Sequence, residues 1–80
     1  MARLIRVVPG QDPGFRRVRS GSGFRYVDPA GDTAPEADRE RIHDLVIPPA
    51  WQDVWIAADP LAHIQAVGVD GAGRKQYLYH

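Results

Sequence analysis

Eight glycines and seven prolines cut this 80-residue chain into short runs, and that punctuation narrows the folds open to it. Glycine and proline end regular elements, so most of the runs have room only for a strand. One window reads differently. From Pro35 to Val46 the period becomes helical, with Pro35 in the first turn and Glu36 and Asp38 near the positive end. Ile42, Leu45 and Val46 form the expected apolar stripe, and Pro48-Pro49 ends the helix.

The other runs alternate as half-buried strands do. Phe15–Arg19 and Phe24–Val27 flank the turn Ser20-Gly21-Ser22-Gly23 and read as a hairpin. Val54–Ala57, His63–Val69 and Gln76–His80 follow, separated by Asp59-Pro60-Leu61-Ala62 and Asp70-Gly71-Ala72-Gly73. The fold class is therefore α+β: a small antiparallel β-sheet of about five strands with one or two short helices. Residues 1–14 are either a first strand or an arm, and residues 15–80 form one domain with one modest core.

Cysteine is absent, so neither a disulfide framework nor a thiolate metal site holds the fold. His63 and His80 lack a partner at ligand spacing, and His43 sits among helix charges, so no metal site is expected. No apolar run is long enough to span a membrane, and Met1–Arg6 is too quickly charged for a secretory signal. No nucleophile–base constellation or carboxylate pair stands out, so no catalytic residue is expected.

Formal charge sums to zero but is segregated along the chain. Residues 1–27 carry six arginines against Asp12, and residues 28–59 carry eight acids against Arg39 and Arg41. A neutral protein with such segregation can present a local positive face to phosphates.

Three groups of residues carry the candidate chemistry. Arg74, Lys75, Gln76, Tyr77 and Tyr79 place two cations, an amide and two phenols after a glycine turn, a set suited to phosphates and base edges. In a regular strand, however, Tyr77 and Tyr79 share one face while Gln76, Leu78 and His80 share the other, with Leu78 marking the core. Without a nucleic-acid partner the same segment is simply a half-packed hairpin end. Arg16, Arg17, Arg19 and Arg25 form the second group, which either tracks a phosphate backbone or pairs with the acidic helix. Trp51 and Trp55, beside Pro48-Pro49, form the third. They are read as anchors of a small core, the alternative being a non-enzymatic protein-interaction groove.

Taken in order, Gly23-Phe24-Arg25-Tyr26-Val27-Asp28, Arg41-Ile42, Ile47-Pro48-Pro49-Ala50-Trp51, Val54-Trp55-Ile56, His63-Ile64-Gln65-Ala66 and Gly73-Arg74-Lys75-Gln76-Tyr77 resemble the N-terminal domain of bacterial, poxvirus-like type IB DNA topoisomerases. The resemblance runs from about Phe15 to His80. It implies one jaw of a clamp lying over the major groove of duplex DNA in the bacterial cytoplasm, at the nucleoid. A separate C-terminal catalytic domain, the other expected partner, would relax supercoils through a 3′-phosphotyrosyl link without metal, ATP or other cofactor. The family's DNA-contacting glutamine and tyrosines match Gln76, Tyr77 and Tyr79, beside Arg74 and Lys75; none of its catalytic set matches a position here. The chain departs from the family at Ala62, Val69 and Leu78, where glycine, a polar residue and arginine are common.

Overall fold

The computed structural model describes residues 3–80. Met1 and Ala2, the first residues of the expected arm or strand, lie outside the described residues. Five strands and one helix follow in the order β1 (Gly14–Ser20), β2 (Gly23–Val27), α1 (Glu36–Leu45), β3 (Gln52–Ala57), β4 (Ile64–Val69) and β5 (Lys75–Tyr79). All five strands form one antiparallel sheet in the spatial order β2-β1-β3-β4-β5. The small α+β architecture read from the sequence is the one observed.

The hairpin β1–β2 closes on Gly21-Ser22, with Ser20 paired to Gly23. Gly21 takes φ 58°, the left-handed value that short hairpin loops ask of glycine. The helix is one residue shorter at each end than the window read from the sequence, because Pro35 and Val46 are its flanking caps. Pro48 drives the residue before it toward extended backbone, so the helix must end by Val46. Val46 there adopts φ 53°, ψ 54°, and its N–H reaches the carbonyl of His43. That left-handed turn corrects the expected apolar stripe: Ile42 is buried and Leu45 packs on the core, but Val46 is exposed.

Among the described residues, those ahead of β1 form no strand of their own. Ile5 makes a single parallel bridge to Ala62: its N–H donates to the Leu61 carbonyl, and its carbonyl accepts from His63 N–H. A short chain segment is thereby stitched to the turn before β4.

Directly paired residues of antiparallel strands share a face, so register sorts the side chains into two layers. Phe15 pairs with Ile56, Ile56 with Ala66, and Ala66 with Leu78. Phe15, Ile56 and Ala66 cluster with Val54, Ile42 of α1 and Ala34, while Tyr26, Leu45, Ile47, Trp51 and Leu78 pack around them. The helix therefore covers this side of the sheet. Leu78 lies toward the core, as its place in the alternation requires.

A polar group is built into that layer. Gln65 is buried at the irregularity between Ile64 and Ala66. Its Nε2 donates to the carbonyl of Ala62 (2.7 Å), and its Oε1 accepts from Arg41 of α1 (2.7 Å). Arg41 also donates to the carbonyl of Ala57 (2.7 Å) and pairs with Asp38. A buried amide with all its partners costs little, and this one ties helix to sheet.

Candidate nucleic-acid interface

The opposite face of the sheet has a row of its own. Val27 pairs with Arg16, Arg16 with Trp55, Trp55 with Val67, and Val67 with Tyr77, crossing all five strands. Two residues along, the same face carries the pair Val18–Arg25 at one end and Val69–Lys75 at the other. Tyr79, two residues beyond Tyr77, joins it; the two phenol rings stack with centroids 6.2 Å apart. Arg16, Arg25, Lys75, Tyr77 and Tyr79 thus share the side of the sheet away from α1. Tyr79 is 66% exposed, which leaves most of one aromatic surface in solvent.

Among the described residues, no carboxylate lies within ion-pair distance of the cations on this face. Among the described residues the ion pairs are Arg41–Asp38 and Arg74–Asp70. The hairpin arginines do not pair with the acidic helix, one of the two arrangements open from sequence.

The four hairpin arginines divide by strand alternation. Arg17 and Arg19 lie on the helix side with Tyr26 and Phe24, their cross-strand partners. Arg17 is committed to the fold: it donates to the carbonyls of Pro48 (3.0 Å) and Trp51 (2.7 Å), with a longer contact to Ile47. Its guanidinium also lies 4.2 Å from the centre of the Phe24 ring, and that of Arg19 lies 5.4 Å from it. Arg17 therefore staples the hairpin to the loop that follows the helix. Nothing in the charge pattern separates Arg17 from Arg16; the register does.

The last hairpin is organised around Asp70. One carboxylate oxygen accepts the backbone N–H groups of Ala72 and Arg74, each at 2.9 Å. The other accepts from Gln76 Nε2 at 2.9 Å and faces Arg74 Nε at 3.4 Å. These bonds hold the Asp70 carboxyl below its ordinary pKa, the Arg74 N–H contributing most and the Gln76 amide next, with desolvation opposing them. Gln76 pairs with Gly68 and so stands on the helix side of β5, apart from Tyr77 and Tyr79; its amide reaches along the strand to the turn. Asp70 reads in the sequence only as a turn residue; its spacing, four residues before Arg74 and six before Gln76, is the available signal.

The tryptophans do not share a groove. A β-carbon on Gly68 would meet the ring of Trp51, and one on Gly14 would meet the ring of Trp55. Gly68 lies on the helix side of β4, while Trp55 belongs to the row on the opposite side. Each indole is half-buried over its own glycine, on opposite faces of one sheet.

Comparison with known proteins bears on what such a sheet belongs to. The family model described as the bacterial DNA topoisomerase IB N-terminal domain matches residues 23–70, from β2 through β4. The chain belongs to this family. It is also 47% identical over 68 residues to a DNA topoisomerase 1B of Acanthamoeba polyphaga mimivirus, a match covering 84% of this chain. The same match covers 20% of that viral protein, so the topoisomerase IB N-terminal domain spans a small part of its relative. No solved structure matches the chain significantly. Strand β5, with Lys75, Gln76, Tyr77 and Tyr79, lies beyond the residues that the family model matches.

Proposed function

We propose that this domain is the DNA-clamping jaw of a type IB topoisomerase, laid against the major groove of duplex DNA while the rest of the protein relaxes supercoils. The observation that carries the reading is the face opposite α1, which Arg16, Arg25, Lys75, Tyr77 and Tyr79 share, the three cations making no ion pair among the described residues. Cations of this kind take phosphates, and stacked, exposed phenols supply hydroxyl donors and ring surface. Arg74, beside the turn, and the Gln76 amide, drawn to that turn by Asp70 from the helix side of β5, meet the duplex at the end of the same hairpin. Arg17 and Arg19, on the helix side, support the sheet and leave the phosphates to Arg16 and Arg25. In the intact protein the catalytic domain is the second partner, and cleavage and resealing proceed there through a phosphotyrosyl intermediate with neither metal nor ATP. The interaction-groove alternative loses its basis once Trp51 and Trp55 lie on opposite faces.

The test is an anisotropy titration of a labelled duplex at two salt concentrations, with wild-type chain and with Gln76→Ala/Tyr77→Ala/Tyr79→Ala. Each phosphate neutralised should contribute about −0.9 to the slope of log affinity against log salt. Salt-sensitive binding that the variant loses is expected. Binding unchanged in the variant would move the surface to Arg16 and Arg25, and strand nicking by this chain alone would overturn the division of labour between the domains.

A further inference from the structure

The geometry points to Asp70 as the residue that sets which way the Gln76 carboxamide faces DNA, and so as a determinant of sequence preference outside the contact surface itself. This inference rests on the clamp reading above. A carboxylate can only accept hydrogen bonds, so the Gln76 group facing Asp70 Oδ2 at 2.9 Å is its NH₂. That bond leaves Oε1 and the second N–H of Gln76 for an outside partner. An acceptor beside a donor is what a base edge requires for two-point recognition, and an amide turned end for end would present the opposite order.

The two carboxylate oxygens of Asp70 do separate work. Oδ1 closes the turn on the N–H groups of Ala72 and Arg74, while the Asp70 carbonyl accepts from Gly73 N–H, and Gly73 takes φ 81°. Oδ2 is left for side chains alone, Gln76 and the more distant Arg74 guanidinium. An unrestrained glutamine loses rotamer freedom when it is ordered on binding. Asp70 does part of that ordering before DNA arrives.

Asp70→Asn separates the two roles. Asparagine keeps an oxygen for the turn N–H groups but turns an NH₂ toward Gln76, whose amide must then invert to offer Oε1. The substitution also removes a negative charge beside the proposed phosphate contacts. The expected signature has two opposite parts. Overall affinity for duplex at low salt rises by roughly two- to fivefold, as removal of a partly exposed repulsive charge should allow. The preference for the base read by Gln76, about tenfold for one good two-point contact, falls to about twofold or less.

Preference is read by equilibrating the chain with duplexes randomised over a central segment and sequencing the bound fraction, for wild type, Asp70→Asn, Gln76→Ala and the double variant. The expected double variant has the same sequence profile as Gln76→Ala alone. Two-dimensional NMR supplies a second readout without DNA: the Gln76 side-chain NH₂ resonances should shift as Asp70 titrates, below the ordinary carboxylate range, and lose that titration in Asp70→Asn. Backbone amide shifts of residues 72–74 report that the turn persists. If Asp70→Asn retains the wild-type preference while Gln76→Ala loses it, Asp70 does not orient the amide and the proposal falls. If Gln76→Ala leaves the profile unchanged, Gln76 reads no base; the proposal then falls with that role, while salt-sensitive binding would still stand for the clamp.

Discussion

The ring of Trp51 lies so close over Gly68 that a β-carbon there would stand 2.7 Å from it. This contact seats the loop after α1 on β4, with Trp51 packed against the core cluster. Gly68→Ala should therefore destabilise the domain by about 1–3 kcal/mol through overpacking. Urea unfolding followed by tryptophan fluorescence measures it, and a change below about 0.5 kcal/mol would mean that the indole can shift without loss.

Arg16 and Arg17, neighbours in sequence, should behave as opposites. Arg17→Ala strands the carbonyls of Pro48 and Trp51 and should cost about 2 kcal/mol of stability. Arg16→Ala, on the open face, should stay within about 0.5 kcal/mol of wild type. In the DNA titration the order reverses: Arg16→Ala should make the salt slope shallower by about 0.9. Equal effects of the two on stability would contradict the assignment of faces.

Val46 ends the helix in a left-handed conformation with its side chain exposed. A β-branched residue is strained there, and glycine is the usual occupant of such a C-terminal turn. Val46→Gly should raise stability by about 1 kcal/mol, the scale of the left-handed penalty. Thermal unfolding reports it, and a lower midpoint than wild type would show that Val46 makes a contact worth more than its strain.

Asp70 gives the domain a pH dependence of known sign. Its folded-state pKa is lowered, so its contribution is fully present above the unfolded value of about 3.9 and is lost as pH falls through the folded value. The stability difference between wild type and Asp70→Asn should be constant at neutral pH and shrink only in acid below about pH 4. Chemical denaturation from neutral to strongly acid pH checks this. A difference that grew toward acid would mean that the carboxyl is favoured in its protonated form.

Much of the fold was legible along the chain. Glycine and proline placed the turns, alternation placed the strands, and the one long helical period placed α1 to within a residue at either end. These features act over a few residues, where backbone sterics and side-chain spacing decide the outcome. The end of the stripe was misread at Val46 because hydropathy records what a residue is, and the turn that Pro48 enforces decides where its side chain goes.

The candidate site was legible as a list of residues and illegible as a surface. The sequence by itself determined that the chain carries arginines on a hairpin and Lys75, Tyr77 and Tyr79 on a last strand, because composition and period are local properties. Only the tertiary structure decided which of them stand together. Strand order brings β1 next to β3 and carries one row from Val27 through Arg16, Trp55 and Val67 to Tyr77, while the same pleat turns Arg17 inward and Gln76 toward Asp70. Register is a relation between segments distant in sequence, and a one-residue change of register exchanges the two faces.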